Sequence, residues 1–414
     1  MIRTALSAAL VAMAATACGI GSSTAEVVVP PGTPQADTAG NDAPIVRIEQ
    51  AAQTIGAAPG AAVTFTGSVD DPDHAGADAP VLRWDFGDGA TAEGPTPAPH
   101  TYATPGRYLV TLSAKDSSGA SATPSVRVVD VGSPAAPSGN SALRLTGAGR
   151  DDVDRVKIPV DDPSGVRTQF GANIGATDTT IELWLRAEPG SNAQPAVECG
   201  DNYNWVYGNI VLDRDRYESG KSYGLSIAGG ALVYGVTGQP GGGDSVTLCG
   251  KTPVTDGAWH HVAMTRTAAT GDLALYVDGR QEAARGGPAG DISYPRGAKP
   301  KPNCYEGVPC TLSDPYLVIG AEKHDVGPGS PAFTGLVDEL RLSRTIRYTQ
   351  PFSPPRAPFT PDADTAALYH FDEGGGPVVL DSATGAGAPT DGIVRSGGGE
   401  IGPFWAPSNA VTGS

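Results

Sequence analysis

The chain has 414 residues, of which 56 are Gly and 37 Pro, so about one residue in 4.5 breaks regular helix, nearly double average usage. That excludes long helices, and the 39% hydrophobic content excludes wholesale disorder. A formal charge of −17 repels phosphate backbones and anionic headgroups, which argues against nucleic-acid and electrostatic membrane binding and makes a divalent cation the more natural small partner.

The first element is a leader. Met1-Ile2-Arg3 gives a short positive start, and Thr4 to Ala17 is an uncharged Ala/Leu/Val-rich run ending in small residues, too short to span a bilayer. Residues 1–17 are expected to be removed as a signal peptide. The run ends Ala15-Thr16-Ala17-Cys18-Gly19, which resembles the lipobox of bacterial lipoproteins. The resemblance implies a diacylated Cys18 as the first mature residue and a membrane contact through that anchor alone; two acyl chains hold a membrane stably where one does not. Ala15 stands where the lipobox usually has Leu, and simple cleavage with secretion is the alternative. Gly19 in place of Asp resembles the pattern that permits outer-membrane sorting in Gram-negative bacteria, so the expected location is the outer membrane, with surface display left open.

Residues 18–42 are Pro-rich and lack aromatics, the composition of an extended tether. Residues 43–132 then show short alternating runs, among them Ile45 to Ile48, Ala62 to Thr66, Val81 to Phe86, Tyr108 to Ala114 and Ser125 to Val129, separated by Gly, Pro and Asp. Such runs predict a small β-sandwich. In Trp84-Asp85-Phe86-Gly87-Asp88-Gly89 the strand period puts Trp84 and Phe86 on one face before a turn. His100-Thr101-Tyr102, Pro105-Gly106, Tyr108, Val110 and Leu112 follow at hairpin distance. Together these residues resemble the polycystic-kidney-disease (PKD) domain, which implies an immunoglobulin-like sandwich acting as spacer or weak binding module. Some bacterial members bind Ca²⁺, and on that resemblance Asp71, Asp73, Asp85 and Asp88 are candidate oxygen ligands; Asx turns in solvent are the competing reading.

After a linker at 133–141, residues 142–407 are again strands and turns, with a tail at 408–414. Ile181-Glu182-Leu183-Trp184-Leu185, Trp259-His260-His261, Leu275-Tyr276-Val277-Asp278-Gly279 and Phe333 to Ser343 occur in that order. The ordered set resembles the LamG-like, concanavalin A-like jelly roll of bacterial surface proteins. The fold class expected for the whole chain is therefore all-β, an immunoglobulin-like sandwich followed by a jelly roll. The resemblance implies that His261 is a packed structural residue and that Asp278-Gly279 is a hairpin turn. Asp338 and Glu339 are adjacent on a strand and so point to opposite sides, which is wrong for an acid and base pair. Glycosidases of this fold carry alternating carboxylates along one strand face, and this chain has no such string. The chain is accordingly read as no enzyme, with a glycosidase or lyase as the rival to be tested by turnover. Asp381 in its Gly-rich turn, together with Asp338, is the second candidate Ca²⁺ site.

Four cysteines follow Cys18, an even number in an exported chain, which predicts two disulfides. Three pairings are open; Cys199 with Cys249 and Cys304 with Cys310 are favoured, against a metal site that no histidine at ligand spacing supports. Two stretches lie outside the family pattern, 198–220 and 286–314. Binding residues concentrate in such loops, and Asn202, Tyr203, Trp205 and Tyr305 have the aromatic and amide character that suits sugar rings. The expected function is non-catalytic, lipid-anchored binding or adhesion at the cell envelope, with the jelly roll as head recognising a glycan or a cell-surface protein and the PKD-like domain as spacer. A structural subunit of an envelope complex is the alternative.

Overall fold

The computed structural model describes residues 44–50, 54–71, 80–118, 122, 124–132, 140–147, 155–162, 168–215, 220–238, 244–296, 315–322, 331–376, 378–395 and 404–411. Cys18, Asp73, Cys304, Tyr305 and Cys310, with the leader and tether, lie outside the described residues.

The first domain is built from strands β1 (Ile45–Ile48), β2 (Thr54–Ala57), β3 (Ala62–Val63), β4 (Gly67–Asp70), β5 (Val81–Asp85), β6 (Thr91–Glu93), β7 (His100–Thr101), β8 (Gly106–Lys115) and β9 (Ser125–Val131). A five-stranded sheet runs β2-β9-β8-β5-β6, with β2 parallel to β9, beside the antiparallel pairs β1-β4 and β3-β7. The alternation seen in the sequence is realised on β5, where Leu82 and Trp84 are buried while Val81, Arg83 and Asp85 are exposed. Trp84 and Phe86 share one core with Ile48, Phe65, Tyr102, Val110 and Leu112. The period of two therefore does here what it predicts.

The second domain holds β10 (Ser141–Leu145), β11 (Arg155–Pro159), β12 (Thr179–Arg186), β13 (Asn209–Arg214), β14 (Ser222–Ala228), β15 (Ala231–Thr237), β16 (Ser245–Pro253), β17 (Trp259–Arg266), β18 (Asp272–Val277), β19 (Arg280–Gly286), β20 (Tyr316–Ile319), β21 (Gly335–Ser343), β22 (Thr365–Tyr369), β23 (Val378–Val379), β24 (Gly392–Arg395) and β25 (Phe404–Pro407). One sheet runs β19-β18-β17-β12-β21-β10-β25, with β22 also on β21; the other runs β16-β15-β14-β13-β20-β11-β24-β23. Leu183, Leu185, Val262 and Leu275 from the first sheet and Leu225, Ile227, Leu232 and Tyr234 from the second belong to one core. The last strand returns to β10, pairing Ser141 with Pro407 and Arg144 with Phe404. The two sheets also meet at the edge formed by β16 and β19. There Glu282 accepts from the Lys251 and Thr252 amides at 2.6 and 2.9 Å and from the Thr252 hydroxyl at 2.8 Å.

Asp278 and Gly279 turn the β18-β19 hairpin, both with positive φ (48° and 75°), the geometry that tight two-residue hairpins need. The Asp278 carboxylate then reaches back, one oxygen 2.8 Å from His260 Nδ1 and the other accepting the His261 amide at 3.0 Å.

Candidate functional site

The constellation that most resembles a catalytic centre is closed. Glu182 on β12, His261 on β17 and Arg341 on β21 lie on neighbouring strands. Glu182 Oε2 is 3.2 Å from His261 Nε2 and accepts the Tyr348 hydroxyl at 2.6 Å, while Oε1 accepts from Arg341 at 2.7–2.8 Å. Burial alone would raise the Glu182 carboxyl, but the His261 bond and the Arg341 charge outweigh it and the net shift is downward. Glu182 and His261 are both inaccessible to solvent, and the rings of Trp184, Tyr348, Phe352 and Phe359 surround the imidazole at 5.4–6.2 Å. A base that no substrate can reach is a structural member, and the cluster ties the 348–359 segment to the sheet.

Asp338 and Glu339 also part company. Glu339, with φ of 51°, binds the Phe359 amide and His370 Nδ1, both at 2.8 Å, whereas Asp338 is bonded to the Ser408 hydroxyl. Burial pushes the Asp338 carboxyl up to about 7. Asp381 is raised by burial to about 6 although its oxygens accept three amides, from Leu368, Ala383 and Thr390, at 2.7–2.9 Å. The Asp381 carboxylate therefore organises the turn that leads from β23 to β24. In the first domain Asp85 accepts the Gly87 amide at 2.9 Å and Asp88 the Ala90 amide at 3.0 Å, and Asp88 also holds His100 at 2.7 Å. These are Asx turns, and Asp71 is buried. Among the described residues no group of three or more His, Cys, Asp or Glu side chains is placed to hold a metal ion.

The loop at 198–208 is different. It starts at the Cys199–Cys249 disulfide, Cα atoms 5.9 Å apart, which fastens it to β16. A bridge between Gly200 and Thr247, with two bonds of 2.9 Å, continues the attachment. One turn of 3₁₀ helix, Asn204–Tyr207, then carries the chain to β13.

One sequence-predicted binding residue, Trp205, is corrected here by its burial. Trp205 is 2% exposed and lies against the outside of the second sheet, packed with Ile210, Ala228 and Val233. Its seat is made by Gly224 and Gly235, paired directly across β14 and β15. A Cβ on Gly224 would stand 2.0 Å from the indole, and one on Gly235 would stand 1.8 Å from it. Glycine inside a strand commonly marks such a close approach, and that was the available signal. Asn202, half-buried, also braces the loop: Oδ1 accepts the Asn204 amide at 3.0 Å and Nδ2 donates to Glu198 O at 3.2 Å. Asn204 Nδ2 donates to the same carbonyl at 3.1 Å.

With Trp205 turned inward, its flanking residues turn outward. Tyr203 is 47% exposed and Tyr207 46%, with ring centroids 6.3 Å apart and planes inclined by 46°. Burial first, then the neighbouring Tyr203 hydroxyl, raises the Tyr207 phenol. Tyr203 was named from the sequence and Tyr207 was not, because its exposure depends on the single turn of helix. At the rim Asp201 Oδ1 is 2.6 Å from Arg285 on β19. The arrangement is an aromatic surface pinned at one end by a disulfide and from beneath by a buried indole.

Compared with known families, residues 41–131 match the PKD domain model, and residues 162–300 match that of the Concanavalin A-like lectin/glucanases superfamily. The chain thus has a PKD domain followed by a concanavalin A-like domain, and β20 to β25 complete the sandwich beyond the matched part. A search of curated proteins found no match. Among solved structures, a candidate carbohydrate binding protein from Bacteroides ovatus aligns with 13% identity over 88% of this chain and 97% of its own, with a TM-score of 0.37. A heptameric SAP-like pentraxin from Limulus polyphemus aligns with 10% identity over 51% and 78%, TM-score 0.31. The Ruminococcus gnavus IT-sialidase CBM40 bound to alpha2,3 sialyllactose aligns with 14% identity over 42% and 80%, TM-score 0.27.

Proposed function

We propose that the chain is a non-catalytic glycan-binding protein whose concanavalin A-like domain presents Tyr203 and Tyr207 as the sugar-contacting surface. The observation that carries this reading is the exposure of two tyrosines on a loop already immobilised by the Cys199–Cys249 bond and the Trp205 anchor. A rigid aromatic surface offers large contact area at small ordering cost. The matched superfamily joins lectins and glucanases, and the lectin half fits better, because Glu182, Glu339 and Asp381 are buried and bonded to the chain's own groups. The PKD domain serves as spacer, and a lipid on Cys18 holds the protein to the outer membrane. Support for the anchor is the sequence Ala15 to Gly19.

The test is a glycan array probed with the mature protein and with Tyr203→Ala and Tyr207→Ala. Specific retention of the wild type that either variant loses is expected. Retention that survives both substitutions removes the loop from the site. Anchoring is tested separately: an alkyne-tagged fatty acid should label the wild type and leave Cys18→Ser unlabelled.

A further inference from the structure

Resting on the glycan reading of the same loop, the charge around the tyrosine pair points to the class of sugar it takes: we infer that the surface recognises a neutral glycan through the faces of its rings and discriminates against uronate-bearing or sulfated chains. The loop from Glu198 to Gly208 contains two carboxylates, Glu198 and Asp201, and no Lys or Arg. Among the described residues the cation paired with this loop is Arg285, engaged by Asp201 at 2.6 Å. On the adjoining edge Lys251 lies beside Glu282, whose carboxylate also holds the Lys251 and Thr252 amides. Among the described residues, two carboxylates against one guanidinium make the rim negative, on a chain whose net charge is −17. An anionic sugar would have to displace Asp201 from Arg285 and leave that carboxylate unpaired beside its own charge, a like-charge contact that suppresses a wrong partner.

What the loop offers instead is apolar area. Tyr203 and Tyr207 are the large exposed aromatics of the described residues, and the amides of Asn202 and Asn204 are turned into the loop. Contact must therefore come chiefly from ring faces meeting the C–H face of a pyranose, with the phenol hydroxyls as a polar margin. Such contact has little dependence on ionic strength, because screening acts on charges.

The experiment is affinity electrophoresis of the mature, disulfide-bonded protein through gels containing neutral polysaccharides of several linkages or anionic ones, at about 0.05 and about 0.5 M NaCl, where the screening length falls severalfold. Expected is retardation by at least one neutral polysaccharide, unchanged by salt, weakened about tenfold or more by Tyr207→Ala and largely kept by Tyr207→Phe, which preserves the ring. Tyr207 is half-exposed, so both variants should fold, and an unchanged melting temperature checks that they do. Retardation confined to uronate or sulfate polymers and abolished by salt overturns the neutral assignment while leaving glycan binding standing. Retardation by no polysaccharide overturns both.

Discussion

Trp205 and its glycine seat allow a perturbation whose magnitude follows from the geometry. Gly235 lies on ordinary strand backbone, where Ala should be at least as well tolerated as Gly, yet its Cβ would stand 1.8 Å from Trp205 Cδ1, 2.2 Å from Cγ and 2.5 Å from Nε1. Nothing there can yield by a few tenths of an ångström, so Gly235→Ala must lift the indole. Overpacking of this kind costs about 1–3 kcal/mol, and removing a buried Trp outright costs about 3–5 kcal/mol. For a domain of this size each kcal/mol lowers the melting temperature by about 2–4 °C. In a Trp205→Ala background the added methyl meets no ring, so Gly235→Ala should then be close to neutral, a coupling of roughly 1–3 kcal/mol. Differential scanning calorimetry of the four proteins measures this, and glycan retention should fall with Gly235→Ala alone because the tyrosines ride on the displaced turn. Equal cost of Gly235→Ala in both backgrounds would refute the seat.

Other consequences concern the charges and the crosslink. Removing the carboxylate with Glu182→Gln leaves the Arg341 guanidinium without its buried partner, and the concanavalin A-like transition should drop by about 3–5 kcal/mol; a calorimetric change below 1 °C would contradict the network. The pH profile has a definite sign. His260 is raised above its ordinary value by its bond to Asp278, Asp338 to about 7 and Asp381 to about 6. A group raised in the fold stabilises fully below its unfolded pKa and loses that contribution as pH climbs through the folded one. The melting temperature should therefore be higher at pH 5 than at pH 8, and Asp338→Asn should flatten the slope; a profile rising toward pH 8 would oppose it. The Cys199–Cys249 bond closes a separation of 50 residues, for which chain entropy gives roughly 4 kcal/mol. Cys199→Ser/Cys249→Ser should show most of that loss in thermal unfolding, together with weakened glycan retention at temperatures where the sandwich stays folded.

How much of this could be read from the sequence depends on the range over which each interaction acts. Strand period alone placed Trp84 and Phe86 on one face, and they share one core, because that fact is decided by neighbours in the chain; the Asp278-Gly279 turn came from the family resemblance and is borne out by two positive φ angles. Trp205 was misjudged because an aromatic among Asn and Tyr looks the same whether it faces water or a glycine-lined trough; Gly224 and Gly235, 19 and 30 residues downstream, decide it. Tyr207 was overlooked for the same cause. The Glu182 cluster draws on Arg341 and Tyr348, 159 and 166 residues away, so no local pattern could have assembled it. Asp85, Asp88 and Asp381 were named as candidate ligands because turn-forming and ion-binding sequences share Asp and Gly; that their carboxylates also accept backbone amides could not be read from the sequence.

The place where the second sandwich begins has a mechanical consequence. Strand β10 is interior, flanked by β25 on one side and β21 on the other. Under the proposed anchoring, a pull arriving at Ser141 from the N-terminal side would therefore be shared between two ladders loaded together, so the strand would not be peeled from an edge one bond at a time. The residues after Pro407 brace the same point, since the Ser408 amide donates to Asn140 O at 3.0 Å and Asn140 Nδ2 donates to Val411 O at 3.0 Å. Force applied there would strain the entry strand, while the loop bearing Tyr203 and Tyr207 is fastened to the other sheet through Cys249 on β16.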